Sequence, residues 1–140
     1  RAPPLAGPAG AREPVHETAL GVATDGYDPV AYFDQGAPAK GSGEHTAEWQ
    51  GSTWRFTSAE HRRRFVAEPE RYAPRYGGYC AWGVGHGYTA PGDPQAWSIV
   101  DGKLYLNYDD EVKAMWTPDA AKCIAEGDVH RPRLLAGEKP

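Results

Sequence analysis

Along the chain, apolar and polar positions fall into short runs rather than one long periodic pattern. Residues 26–36, "GYDPVAYFDQG", predict a single helical turn: Asp28 is a good N-cap, Pro29 suits the first helical position and Gly36 ends it, which turns the apolar side chains inward. Residues 44–57, "EHTAEWQGSTWRFT", hold two runs rich in Thr and aromatic residues on either side of Gly51-Ser52, the pattern of a β-hairpin with Trp49, Trp54 and Phe56 on one face. Ser58 then caps a helix over "AEHRRRFVAE", which has an acid in its first turn, and Pro69 prevents that helix from running on. After "RYAPRYGGYC" the pattern is irregular as far as "AWSIVDGKLYLNY" (96–108), where Asp101-Gly102 between two β-prone runs predicts a second hairpin. Residues 109–128, "DDEVKAMWTPDAAKCIAEGD", have helical spacing, with Thr117-Pro118 starting a fresh helix. The expected class is α+β: a small single domain of short antiparallel hairpins and short helices.

Composition narrows this further. A chain of 140 residues is long enough for one core and too short for two comfortable ones, and 17 Gly and 13 Pro point to many turns. Residues 1–20 are expected to be disordered or extended, 21–128 to form the domain, and 129–140 to form a tail. The formal charge of −4 gives no broad cationic surface for a phosphate backbone, which argues against nucleic acid as a partner. No run of about 18 apolar residues is present, so no membrane span is expected. The Pro/Ala/Gly-rich "RAPPLAGPAGAREP" reads as the region after a removed export signal, and the expected location is periplasmic or secreted.

Three blocks in order, "GYDPVAYF", "WRFTSAEHRRRFVAEPERYAPRYGGYCAWGV" and "DPQAWSIVDGKLYLNY", resemble the YHS-domain family, in its small exported bacterial form often made with a twin-arginine signal. The likeness covers roughly residues 26–126. It implies a treble-clef-like core related to modules of copper-handling proteins, and a metal-binding role. The metal-binding relatives carry cysteines where this chain has Ala31 and Thr57, and a third where it has His61. A zinc site needs four good donors, so the resemblance implies that the inherited site is lost.

In "RYGGYCAWGVGHG" (75–87), five glycines and large aromatics surround Cys80. Glycine allows unusual torsions and close approach, which would hold a thiol in a chosen place. Thiolate and imidazole suit copper, zinc or iron, so Cys80 with His61 or His86 forms the candidate donor set, with Tyr79, Tyr76 or Asp93 available to complete it; copper leads, and zinc or iron are possible. Other readings stand beside this one: Cys80 as core packing, as a redox thiol, or as half of a disulfide with Cys123. His61, on a helix among Arg62, Arg63 and Arg64, reads by default as an exposed polar residue, and His16, His45 and His130 as solvated. The arginines fan round the helix and form a solvated face. Asp28 keeps a capping role, and Tyr27, Tyr32, Tyr105, Trp82 and Trp97 read as core or wall. No nucleophile elbow is present, and "GVGHG" lacks the Lys-Ser/Thr of a phosphate loop, so the sequence leans away from an enzyme. The expected function is a periplasmic metal-binding protein; the alternative is a non-catalytic interaction or small-ligand-binding module in which Cys80 is structural, with a protein partner left open.

Overall fold

The computed structural model describes residues 14–136. Most of the expected N-terminal segment and the last four residues of the expected tail, 1–13 and 137–140, lie outside the described residues. The architecture is α+β, with two antiparallel hairpins and several short helices.

The first hairpin pairs β1 (Ser42–Trp49) with β2 (Ser52–Phe56). Its turn is Gln50-Gly51, with φ of 54° and 78°, one residue earlier than the sequence suggests. A two-residue turn matching strand twist needs positive φ at both central positions, so Gly51 takes the second place and Ser52 opens β2. Trp54 and Phe56 are fully buried and meet Phe65 with ring centroids 5.0 and 5.1 Å away, while Trp49 is half-buried on the same face. The second hairpin pairs β3 (Asp93–Val100) with β4 (Lys103–Asn107) across Asp101-Gly102, at φ 52° and 74°, as turn chemistry predicts.

The helices follow their local signals closely. The short α1 (Ala31–Asp34) starts later than expected, but Asp28 Oδ1 still accepts the Val30 N–H at 2.8 Å and Gly36, at φ 69°, ends the turn. In α2 (Ala59–Ala67), Ser58 accepts the His61 N–H at 3.1 Å, and Pro69 opens the one-turn α3 (Pro69–Tyr72). Cys80 precedes α4 (Ala81–Gly85), and Asp109 caps α5 (Asp110–Trp116). A 3₁₀ turn at Thr117–Asp119 leads into α6 (Ala120–Leu135), which carries helix well past residue 128 and buries Leu134.

Each hairpin has its own half of the core. Trp54, Phe56, Phe65, Val30 and Tyr72 pack under the first; Tyr76, Val84, Tyr105, Trp116 and Leu134 pack under the second. Tyr32 packs with Leu104 and Leu106, and its hydroxyl donates to the Pro94 carbonyl at 2.8 Å, tying α1 to the second hairpin.

Two of the glycines around Cys80 serve close backbone contact. A Cβ on Gly77, at φ 64°, would stand 1.9 Å from the Pro14 carbonyl oxygen, and one on Gly85 would stand 2.9 Å from the Cys123 oxygen and 3.2 Å from its Cβ. Gly85 is therefore where α4 and α6 meet. Gly85→Ala is expected to cost about 1–3 kcal/mol by overpacking. Chemical denaturation measures that loss, and an unchanged midpoint would show that the helices can part freely.

Candidate functional site

The three expected donors sit in three different environments. Cys80 is 2% exposed and unpaired, as is the buried Cys123, so the disulfide alternative does not form here. Its thiol donates to Asn107 Oδ1 at 3.6 Å; the same oxygen accepts the Trp82 N–H at 3.0 Å. Asn107 is fully buried, and that backbone N–H fixes which end of its amide faces the sulfur. An acceptor facing the sulfur favours S–H over thiolate. Burial pushes the Cys80 thiol above its usual pKa, Asp109 acts in the same direction, and the backbone amides of Gly83, Tyr108 and Trp82 pull against them.

His86 lies beyond the other end of α4. The five residues of α4 separate it from Cys80, a step of six positions that is about 9 Å along the axis and well round from it in angle. Its exposed ring stacks on Trp82, centroids 4.1 Å apart at 25°, and Nδ1–H donates to the Trp82 carbonyl at 2.7 Å.

His61 departs most from expectation. It is buried, 5% exposed, and not the solvated side chain that a row of arginines suggests. The arginines do fan outward: Arg62 donates to the Thr46 carbonyl, Arg63 pairs with Glu60, and Arg64 pairs with Asp34 at 3.1 Å. His61 faces inward and its ring bridges two carboxylates, with Nδ1 2.7 Å from Asp28 Oδ2 and Nε2 2.9 Å from Asp34 Oδ2. Both nitrogens can donate only in the imidazolium form.

Asp28 does more than cap. Fully buried, it also accepts the Thr57 N–H at 2.8 Å and the Thr57 hydroxyl at 2.9 Å. Thr57 and His61 are thus neighbours joined to one carboxylate. The cluster superficially resembles a nucleophile, base and acid. A triad, however, needs the hydroxyl and the acid on opposite ring nitrogens. Here Thr57 Oγ1, 3.2 Å from Nδ1, shares that nitrogen with Asp28, and Asp34 occupies Nε2. No nitrogen is left to accept a proton.

Burial alone would lower the His61 pKa, but the hydrogen bonds and charges of Asp28 and Asp34 outweigh it and hold the pKa above 6.5. Hydrogen bonds from His61 and Arg64 hold Asp34 below its usual range. Because the folded-state pKa of His61 is raised, its contribution to stability is complete below the unfolded value near 6.5 and is lost as pH rises through the folded value. Melting temperature is expected to fall over that window in the wild type and to lose this slope in His61→Gln. An unaltered slope in the variant would assign the pH dependence to another group.

The metal set is therefore not brought together. Among the described residues no group of three or more His, Cys, Asp and Glu side chains is placed to hold a metal ion. Of the residues thought able to complete a set, Tyr76 directs its hydroxyl to Asp128 and the Ile124 carbonyl, and Asp93 accepts the Gln95 N–H. Copper, zinc or iron does not fit Cys80, His61 and His86 as they stand. Asp34, Asn107 and the Asp28–His61 contact escaped the sequence reading; the partners of His61 lie 33 and 27 residues away, beyond any local signal. Searched against family models, curated proteins and solved structures, the chain matches none of them.

Proposed function

We propose that this chain is a non-catalytic binding module in which Cys80 and the Asp28–His61–Asp34 bridge are structural. The observation that carries the reading is the thiol of Cys80, enclosed and donating to a buried amide oxygen. A metal ligand must lose its proton and reach the ion, and both are opposed there. The polar groups near His61 are likewise committed to one another. On this reading the YHS resemblance and its treble-clef-like core describe a framework rather than a donor set, and binding belongs to the surface recesses.

Metal retention tests it. Protein exposed separately to copper(I), zinc and iron(II), then desalted, is expected to keep only trace metal, and Cys80→Ala is expected to lose about 1–2 kcal/mol of stability without changing that result. One equivalent of any of these metals, held by the wild type and lost in Cys80→Ala, would return the chain to the metal-binding reading.

A further inference from the structure

Arg131, in the last turns of α6, lines one recess with Arg75 and Tyr76 of the Arg75–Gly78 turn and with Lys103 at the start of β4. We infer that the recess bounded by Arg75, Lys103 and Arg131 binds a small doubly charged oxyanion. The inference rests on the binding-module reading and gives it a ligand class.

The recess has a volume of about 400 Å³. That is in the lower part of the range for small-molecule sites, roughly 300–1,000 Å³. Tyr76 and Tyr105 form part of its wall, and Asp128 is its single carboxylate. Three cations against one carboxylate leave an excess of two positive charges in one place, on a chain whose formal charge is −4. This is a local reversal of sign.

Arg131 lacks a partner that its setting calls for. Arg131 Nη2 donates to the Pro14 carbonyl and its guanidinium lies 5.5 Å from the Tyr79 ring centroid, but the buried Nη1 has no hydrogen-bond partner. Arg131 is half-buried, and a guanidinium largely withdrawn from water is ordinarily matched by an anion, because desolvation is otherwise uncompensated. Burial does lower the Arg131 pKa, with Tyr79 and Tyr76 acting the other way. Among the described residues none of the three cations is joined to a carboxylate in an ion pair. Asp128 instead accepts the Tyr76 hydroxyl at 3.0 Å. Glu70 belongs to an adjoining recess that Arg75 and Arg131 also line.

A dianion in the recess supplies the missing counter-charge. Arginine forks suit the paired oxygens of phosphate and carboxylate. The exposed Lys103 adds a point charge at the rim. Nothing in the geometry separates phosphate from a short dicarboxylate, since both offer two charges and paired oxygens.

Calorimetric titration of the full chain at fixed ionic strength tests the inference, with inorganic phosphate, succinate and sodium chloride as separate titrants. Saturable binding with a Kd of about 1 mM or tighter is expected for phosphate, succinate or both, and none for chloride. Lys103→Ala is expected to weaken it about tenfold, and Arg131→Met to weaken it more than about tenfold. Phosphate alone assigns the site to phosphate-like ligands; response to both assigns it to dianions generally. No saturable signal from either anion, an equal response to chloride, or binding that neither substitution weakens would overturn the inference. Should Arg131→Met fail to fold, Lys103→Ala decides alone, because its side chain is exposed and has no hydrogen bond or ion pair among the described residues. Failure here is distinct from failure of the binding-module reading, which is decided by metal retention.

Discussion

Asp28→Ala is expected to lose about 3–5 kcal/mol of folding stability, the usual cost of removing one side of a buried charge pair. The loss is large because one side chain serves four donors. Val30 N–H, Thr57 N–H, the Thr57 hydroxyl and His61 Nδ1–H all meet its two oxygens in a fully buried position. Alanine strands each donor, and His61 then faces a hole with only Asp34 to stabilise its charge. Against a typical total of about 5–15 kcal/mol, this threatens the fold itself. Urea unfolding measures it, with an unchanged slope confirming that stability and not compactness has moved. A loss below about 1 kcal/mol would mean that solvent or another acceptor replaces the carboxylate.

Phe65→Ala is expected to cost about the same, roughly 3–5 kcal/mol, for an apolar reason. Phe65 is 1% exposed and its ring lies within 5.7 Å, centroid to centroid, of Trp49, Trp54 and Phe56, so it is where α2 closes on the first hairpin. Rings on several sides leave little room for collapse into the cavity. Phe65→Leu should recover most of the loss, and equal losses for Ala and Leu would point to a contribution from aromatic geometry beyond buried area.

The elements that sequence reading captured are those whose cause is local. Asp101-Gly102 is a turn because two adjacent residues accept positive φ, and Ser58 caps because its hydroxyl reaches a backbone N–H three positions on. The far end of α6 was hidden by residues that usually break helices. Gly127 is there because a Cβ would stand 2.7 Å from the Tyr76 hydroxyl, and Pro132 lies inside the helix. His61 was misread for a related reason: three consecutive arginines announce an exposed surface, yet the preceding residue on the helix turns inward to carboxylates that only the tertiary fold supplies. Around Cys80 the glycines were legible but their purpose was not. Gly77 answers to Pro14, Gly83 to Tyr88 and Gly85 to Cys123.

The structural role of Cys80 requires that its sulfur be closed to solvent and held as a thiol. The most direct measurement is its rate of reaction with an aromatic disulfide reagent in the native full chain and in denaturant, with peptide mapping to separate it from Cys123. Reaction that must wait for unfolding is expected to be slower in the native protein by a factor on the order of 10³ or more. A native rate within about tenfold of the unfolded one would mean an accessible, ionisable thiol, and would contradict the structural role assigned to Cys80.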